Sequence, residues 1–340
     1  MRIAAFVFTF AVLTLVPIAI KGIPFVGDAF VEDSPEVFQR MTVLPGYDIA
    51  AMKVRHAASQ PRYDVGVFGN SRVLSVQAED LQIGDRSFFN FAVPGTSLRQ
   101  SLALIENLAA QGKAPRLAII SFDNLEIGYF ANAYFPGSFG RWRRAAGDAL
   151  WALNNRPGDI NLLAHMLTDH LSDEWAAFTG TWNADIFWAR AAVFAPGLVP
   201  PAAPAYIYYT RDGSVAGSVA DENPIEPFQR PAQRLLLLPP YMAHDFERLG
   251  ALDDDVTKIL IYESHIDAAS QALADANPDA AVEADRSEFR AACDRFGITC
   301  YRASELPLPA TTARWKDCCH PPRSALGELL STLVQQHAAL

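Results

Sequence analysis

The sequence predicts an α/β fold: a mostly parallel sheet covered by helices on both faces, in three layers, behind an N-terminal transmembrane helix. Three observations carry this expectation. Short, near-continuous apolar runs alternate with segments of helical apolar spacing. The runs end in glycine, asparagine or proline turn signals. The opening segment is almost wholly apolar. Continuous apolar strands separated by helices imply a parallel sheet buried on both sides.

The opening segment comes first. From Ile3 to Ile20 there is no charged residue, and only Thr9 and Thr14 are polar. A helix of that length reaches roughly 27 Å, about the thickness of a bilayer's hydrocarbon core. Arg2 precedes it and Lys21 follows. A cleaved signal peptide has a shorter apolar core and a small-x-small cleavage site, which Lys21-Gly22-Ile23-Pro24-Phe25 does not resemble. Residues 1–21 are therefore expected to be an uncleaved membrane anchor, with a cleaved signal and a buried core helix as the other readings. Positive charge at its start places the rest of the chain outside the cytoplasm.

Residues 22–60 are expected to be a connector, with short helices at Asp33–Arg40 and Ala50–Ala58. The domain is expected over 61–340. Its first strand is Tyr63–Phe68, closed by Gly69-Asn70, and its second is Ser87–Val93, closed by Pro94-Gly95. Leu98, Leu102, Leu104, Ile105 and Leu108 give a helix over Leu98–Ala110 that Gly112 ends. Leu117–Phe122 is a third strand. Residues 129–245 break the rhythm with prolines and all but one of the six tryptophans, and are expected to be an insertion over the sheet. The rhythm resumes with a strand at Lys258–Tyr262, a helix at Ala280–Phe296, a short strand at Ile298–Arg302 and an apolar-striped helix at Ala325–His337.

Composition excludes one partner class. The net charge is −10 and no run of basic residues occurs, so the chain lacks the clustered cations that a nucleic-acid backbone requires. The four cysteines, Cys293, Cys300, Cys318 and Cys319, all fall late in the chain. In an exported protein they are expected to form one or two disulfides, with the pairing open. Cys318-Cys319-His320 contains zinc-ligand types, but three adjacent residues converge poorly on one tetrahedral centre and no C-x-x-C pair occurs. Neither a metal nor a cofactor is expected.

Three groups of residues stand where strands end, the edge at which open parallel sheets bind ligands. The first is Gly69-Asn70-Ser71-Arg72, in an expected strand-to-helix turn. There the Ser71 hydroxyl faces solvent and its N–H, at a helix N-terminus, can face a developing oxyanion. A plain helix N-cap is the competing role. The second runs from Asn90 to Ser97, where Gly95 lets backbone approach a ligand, or simply makes a turn. The third is Asp317-Cys318-Cys319-His320, in which a carboxylate three residues before a histidine can hydrogen-bond the ring and fix its tautomer. A chance surface pair is the alternative.

Taken in this order and at these boundaries, the three groups resemble the SGNH, or GDSL-like, hydrolase superfamily, whose domain is flavodoxin-like. The membrane-anchored branch is the most similar, including relatives of the polysaccharide O-acetyltransferases. The resemblance covers about 57–125 and 255–335 with the anchor, and leaves out the insertion. It implies Ser71 as nucleophile, His320 as base and Asp317 as its orienting acid. It also implies an oxyanion hole from the Ser71 N–H, Gly95 and Asn124. Two departures stand out. Gly-Asn-Ser-Arg replaces the common Gly-Asp-Ser, and Ser121-Phe122-Asp123-Asn124 replaces Gly-x-Asn-Asp, so that Asp123 or Asn124 takes the asparagine's place.

The resemblance implies an extracytoplasmic serine esterase or O-acyltransferase held in the inner membrane, with its domain in the periplasm. Acyl esters of cell-surface or exopolysaccharide are the implied substrates, and envelope polysaccharide machinery the implied partner. The rival expectation is a non-catalytic scaffold or binding subunit of such an assembly.

Overall fold

A computed structural model describes residues 46–94, 96, 98–122, 239–252, 257–276, 280–309, 315 and 319–337, with short pieces between 146 and 216. The expected anchor and the first part of the connector lie outside the described residues. Among the described residues, no helix is long and apolar enough to cross a membrane.

The chain forms a five-stranded parallel sheet with helices. The strands are β1 (Val65–Phe68), β2 (Phe88–Asn90), β3 (Leu117–Phe122), β6 (Lys258–Glu263) and β7 (Thr299–Tyr301), in the order β2-β1-β3-β6-β7. A small antiparallel ribbon, β4 (Tyr208–Tyr209) with β5 (Val215–Ala216), lies between β3 and β6 in sequence. Register is fixed by the pairs Val65↔Phe88, Val65↔Leu117, Leu117↔Lys258 and Leu260↔Thr299. Every residue of β1, β2 and β3 is buried. That is why these strands read as continuous apolar runs and not as alternating ones.

The helices are α1 (Gly46–Ser59), α2 (Leu98–Ala110), α3 (Pro239–Leu252), α4 (Ala268–Ala276), α5 (Ala280–Phe296) and α6 (Arg323–His337). Parallel crossovers are right-handed, so the connections that step from β2 over to β3, β6 and β7 bring α2, α3 and α5 to one face. Their contacts agree: α3 packs on both α2 and α5. The β1–β2 connection steps the other way. Its 3₁₀ turn, Ala78–Asp80, packs against α6.

Three boundaries differ from the sequence expectation. Helix α1 buries Ala50, Lys53, His56 and Ala57 and packs on α2, so the folded unit reaches back at least to Gly46, not to 61. The end of the expected insertion, 239–245, belongs to α3, which buries Phe246 and Leu249 beneath the sheet. Helix α4 went unpredicted because Leu273, which is exposed, is its one large apolar residue. Where the chain leaves α5, Gly297 adopts φ +69°, Ile298 N–H bonds the Cys293 carbonyl at 3.0 Å, and Cys293 is disulfide-bonded to Cys300 in β7. A left-handed residue at this position closes a helix, and glycine adopts it without a Cβ clash.

Candidate active site

The site lies where β1 ends. Gly69 has φ +140°, and a Cβ there would stand 2.9 Å from both the Cβ and the carbonyl oxygen of Ser121 in β3. Only glycine passes through this conformation so close to the neighbouring strand. The Val93 N–H then bonds the Gly69 carbonyl at 2.9 Å, tying the loop after β2 to the end of β1.

No α-helix follows Ser71, contrary to the sequence expectation. Residues 71–75 form successive tight turns, with Val73 N–H to the Asn70 carbonyl and Val76 N–H to the Val73 carbonyl, both at 3.3 Å. The Arg72 N–H also bonds Asn70 Oδ1 at 3.1 Å. Ser71 is therefore neither at a helix N-terminus nor an N-cap, and no helix dipole acts on its N–H. Val73, Leu74 and Val76 are buried, so their apolar pattern reflects core contact and not a helical stripe.

The expectation that Ser71 and His320 meet is a geometric one, and here they do: His320 Nε2 lies 2.8 Å from Ser71 Oγ, across 249 residues of sequence. His320 follows Cys319, which is buried and disulfide-bonded. A disulfide sulfur is not a thiolate, so Cys319 is not available as a zinc ligand. Pro321 and Pro322 are buried, and the Leu326 N–H bonds the Pro322 carbonyl at 3.1 Å as α6 begins. Arg323 then reaches back to the Ser71 side, pairing with Asp80 at 2.6 Å and with Glu79.

The other expected site residues, Asp317, Gly95 and Asn124, lie outside the described residues, as do Cys318 and Asp123. Among the described residues no group of three or more His, Cys, Asp or Glu could hold a metal ion.

Around the pair the carboxyl edge of the sheet is polar and buried. Arg72 Nη1 donates to the His265 carbonyl at 3.0 Å, bridging the turn after β1 to the segment after β6. Ser121 and Ser264 share a hydroxyl hydrogen bond of 2.7 Å. Burial pushes the Tyr262 hydroxyl up to about 12, against the opposing pull of the Ser121 hydroxyl and the Arg72 charge. Burial likewise lowers the His265 pKa, outweighing its bond to the Leu306 carbonyl. A neutral ring donating from Nε2 fits that 2.6 Å contact.

Several roles escaped the sequence reading. Ser121 and Ser264 carry no motif beyond their place at strand ends, and Arg72 was named only as part of the first group. Asn90 was named at the head of the second group, being the one polar residue in the apolar run Phe88–Val93, with no role given to its side chain. Lys53 left a faint trace, sharing a helical face with Ala50 and Ala57 at spacings of three and four.

No protein-family model, curated protein or solved structure matches the chain.

Proposed function

We propose that the protein is a serine esterase or O-acyltransferase of the SGNH type, with a three-layer, flavodoxin-like domain carried outside the cytoplasm on an N-terminal membrane anchor. One observation carries this reading: the 2.8 Å contact between His320 Nε2 and Ser71 Oγ at the carboxyl edge of a parallel sheet. A hydroxyl within hydrogen-bond reach of an imidazole is the minimal apparatus of an activated serine nucleophile.

His320 Nε2 takes the Ser71 proton while Oγ attacks the ester carbonyl carbon, forming a tetrahedral intermediate whose oxygen carries the charge. The C–O bond to the leaving alcohol breaks as His320 returns the proton to that oxygen, which leaves an acyl-serine. Water or a sugar hydroxyl then attacks the acyl carbon, giving its proton to His320, and the second tetrahedral intermediate collapses by breaking the bond to Ser71 Oγ, which takes the proton back from His320. Asp317 is assigned to the Nδ1 side of His320. The Ser71 N–H, Gly95 and Asn124 are assigned to the oxyanion. Acylated cell-surface or exopolysaccharide is the proposed substrate class, with envelope polysaccharide machinery the proposed partner.

Ser71→Ala and His320→Ala test the reading. Each is expected to abolish turnover of a small ester while the unfolding midpoint stays near that of the wild type. Undiminished turnover in either variant sinks it.

The non-catalytic reading draws on one observation, the absence of a helix after Ser71, which removes a favourable dipole from the oxyanion. A chain that never reacts with a fluorophosphonate would favour that scaffold role.

A further inference from the structure

Without a helix behind Ser71, something else must hold its turn. The backbone bonds from the Val73 N–H to the Asn70 carbonyl and from the Val76 N–H to the Val73 carbonyl are long, at 3.3 Å each. Besides Asn70 Oδ1 on the Arg72 N–H, the turn is met by Asn90, the last residue of β2, which is fully buried. Its Nδ2 donates to the carbonyls of Val73 at 2.8 Å and Val76 at 2.9 Å, with Leu74 at 3.3 Å. Its Oδ1 accepts from the Ala92 N–H at 3.0 Å. Three carbonyls on one side and an N–H on the other fix which end of the carboxamide is nitrogen.

Asn90 is itself anchored on both backbone groups. Its N–H donates to the Asp212 carbonyl at 2.6 Å, and its carbonyl accepts from Lys53 Nζ at 2.8 Å. Lys53 Nζ also donates to the Ala92 and Gly213 carbonyls, each at 2.6 Å. Three carbonyls match the three donors of an ammonium; burial lowers the Lys53 pKa well below its usual value, against the opposing pull of the Asp212 charge. The Asp212 carboxylate accepts from the Ala78 N–H, gripping the same connection farther on. Gly213 lies flat on the edge strand, where a Cβ would stand 2.5 Å from the Asn90 carbonyl oxygen.

We propose that Asn90 is a positioning residue for Ser71: its carboxamide takes the place of the missing helix in holding the nucleophile turn, and Lys53 and the 212–213 backbone hold Asn90. The proposal rests on the reading of Ser71 as nucleophile. It adds a role for part of the expected insertion, since 212–213 brace the Ser71 turn through Asn90.

The test measures kcat and KM of the full chain on a small ester, well below each variant's unfolding midpoint. Asn90→Ser removes both amide donors and leaves a hydroxyl too short to span the turn's carbonyls. A misplaced nucleophile costs catalysis and not binding, so kcat is expected to fall about 10- to 100-fold with KM within about twofold. Asn90→Asp keeps the shape but turns both donors into acceptors, and is expected to fall at least as far. Lys53→Met, one bond farther out, is expected to give a smaller loss in kcat at unchanged KM. Wild-type kcat in any folded Asn90 variant overturns the proposal, as does wild-type kcat in a folded Lys53→Met.

One readout needs no variant. In the wild type, the Asn90 carboxamide protons are expected to exchange with solvent far more slowly than those of a surface asparagine, and surface-like exchange would also overturn the proposal. Persistent turnover in Ser71→Ala is a separate outcome: it removes the nucleophile reading and leaves the Asn90 bonding itself intact.

Discussion

The two halves of the Ser71–His320 pair are held by different means. His320 sits at the entry to α6, whose Leu326, Leu329, Leu330, Leu333 and Val334 are buried against the domain. Its position is inherited mainly from a long apolar contact, beside the disulfide-bonded Cys319. Ser71 sits in a run of turns whose directional holds include the Asn90 carboxamide with Lys53 behind it, the Asn70 carboxamide that accepts from the Arg72 N–H, and Arg72 on the His265 carbonyl. Apolar contact is distributed, so losing one part of it lowers stability while leaving the rest in register. Polar pins are few and directional, so losing one misplaces what it held.

Substitutions on the two sides should therefore separate stability from turnover. The largest loss of stability is expected on the His320 side. Leu330→Ala opens a cavity in α6 and should cost about 2–5 kcal/mol in denaturant unfolding, with kcat of the folded fraction near wild type. A large fall in kcat at unchanged KM would break the contrast. Gly69→Ala, on the Ser71 side, forces an alanine into φ +140° against Ser121. It should cost about 1–3 kcal/mol, and its kcat should fall farther than that of Leu330→Ala.

Smaller effects sharpen the contrast. Arg323 joins the two halves by pairing with Asp80 and Glu79, and its side chain is about a third exposed. Partly exposed pairs are weak, so Arg323→Met should cost less than about 1 kcal/mol, measured by the same unfolding curves.

The smallest effect expected is a pH dependence. His265 has a lowered pKa in the folded chain, so it stays neutral there while the unfolded chain takes up a proton near pH 6.5. The unfolded state then binds more protons, so stability should fall as pH drops below about 6.5 until the folded-state pKa is passed. His265→Gln, which keeps a donor for the Leu306 carbonyl, should flatten that slope. An unchanged slope would contradict the assignment.

The same contrast explains what was legible in the sequence. Apolar runs such as Leu117–Phe122 and the stripe of α6 announce themselves, because burial selects residue type along a local period. The meeting of Ser71 with His320 could be anticipated, because both stand at element boundaries. The turn after Ser71 could not. A helix was expected after Ser71, yet the carbonyls of Val73, Leu74 and Val76 go to Asn90, a partner set by strand pairing and not by sequence spacing. Lys53 left a trace of its burial in its helical face but none of its role, for its three acceptors are backbone carbonyls, which every residue type presents alike.

The most direct test of the account is covalent. The wild-type chain and His320→Ala are treated with a serine-directed fluorophosphonate and the adduct is located by mass spectrometry. The account predicts one adduct, on Ser71, formed in the wild type and lost or greatly slowed in His320→Ala. Labelling of Ser71 at equal rates in both chains, or an adduct on another serine alone, would contradict it.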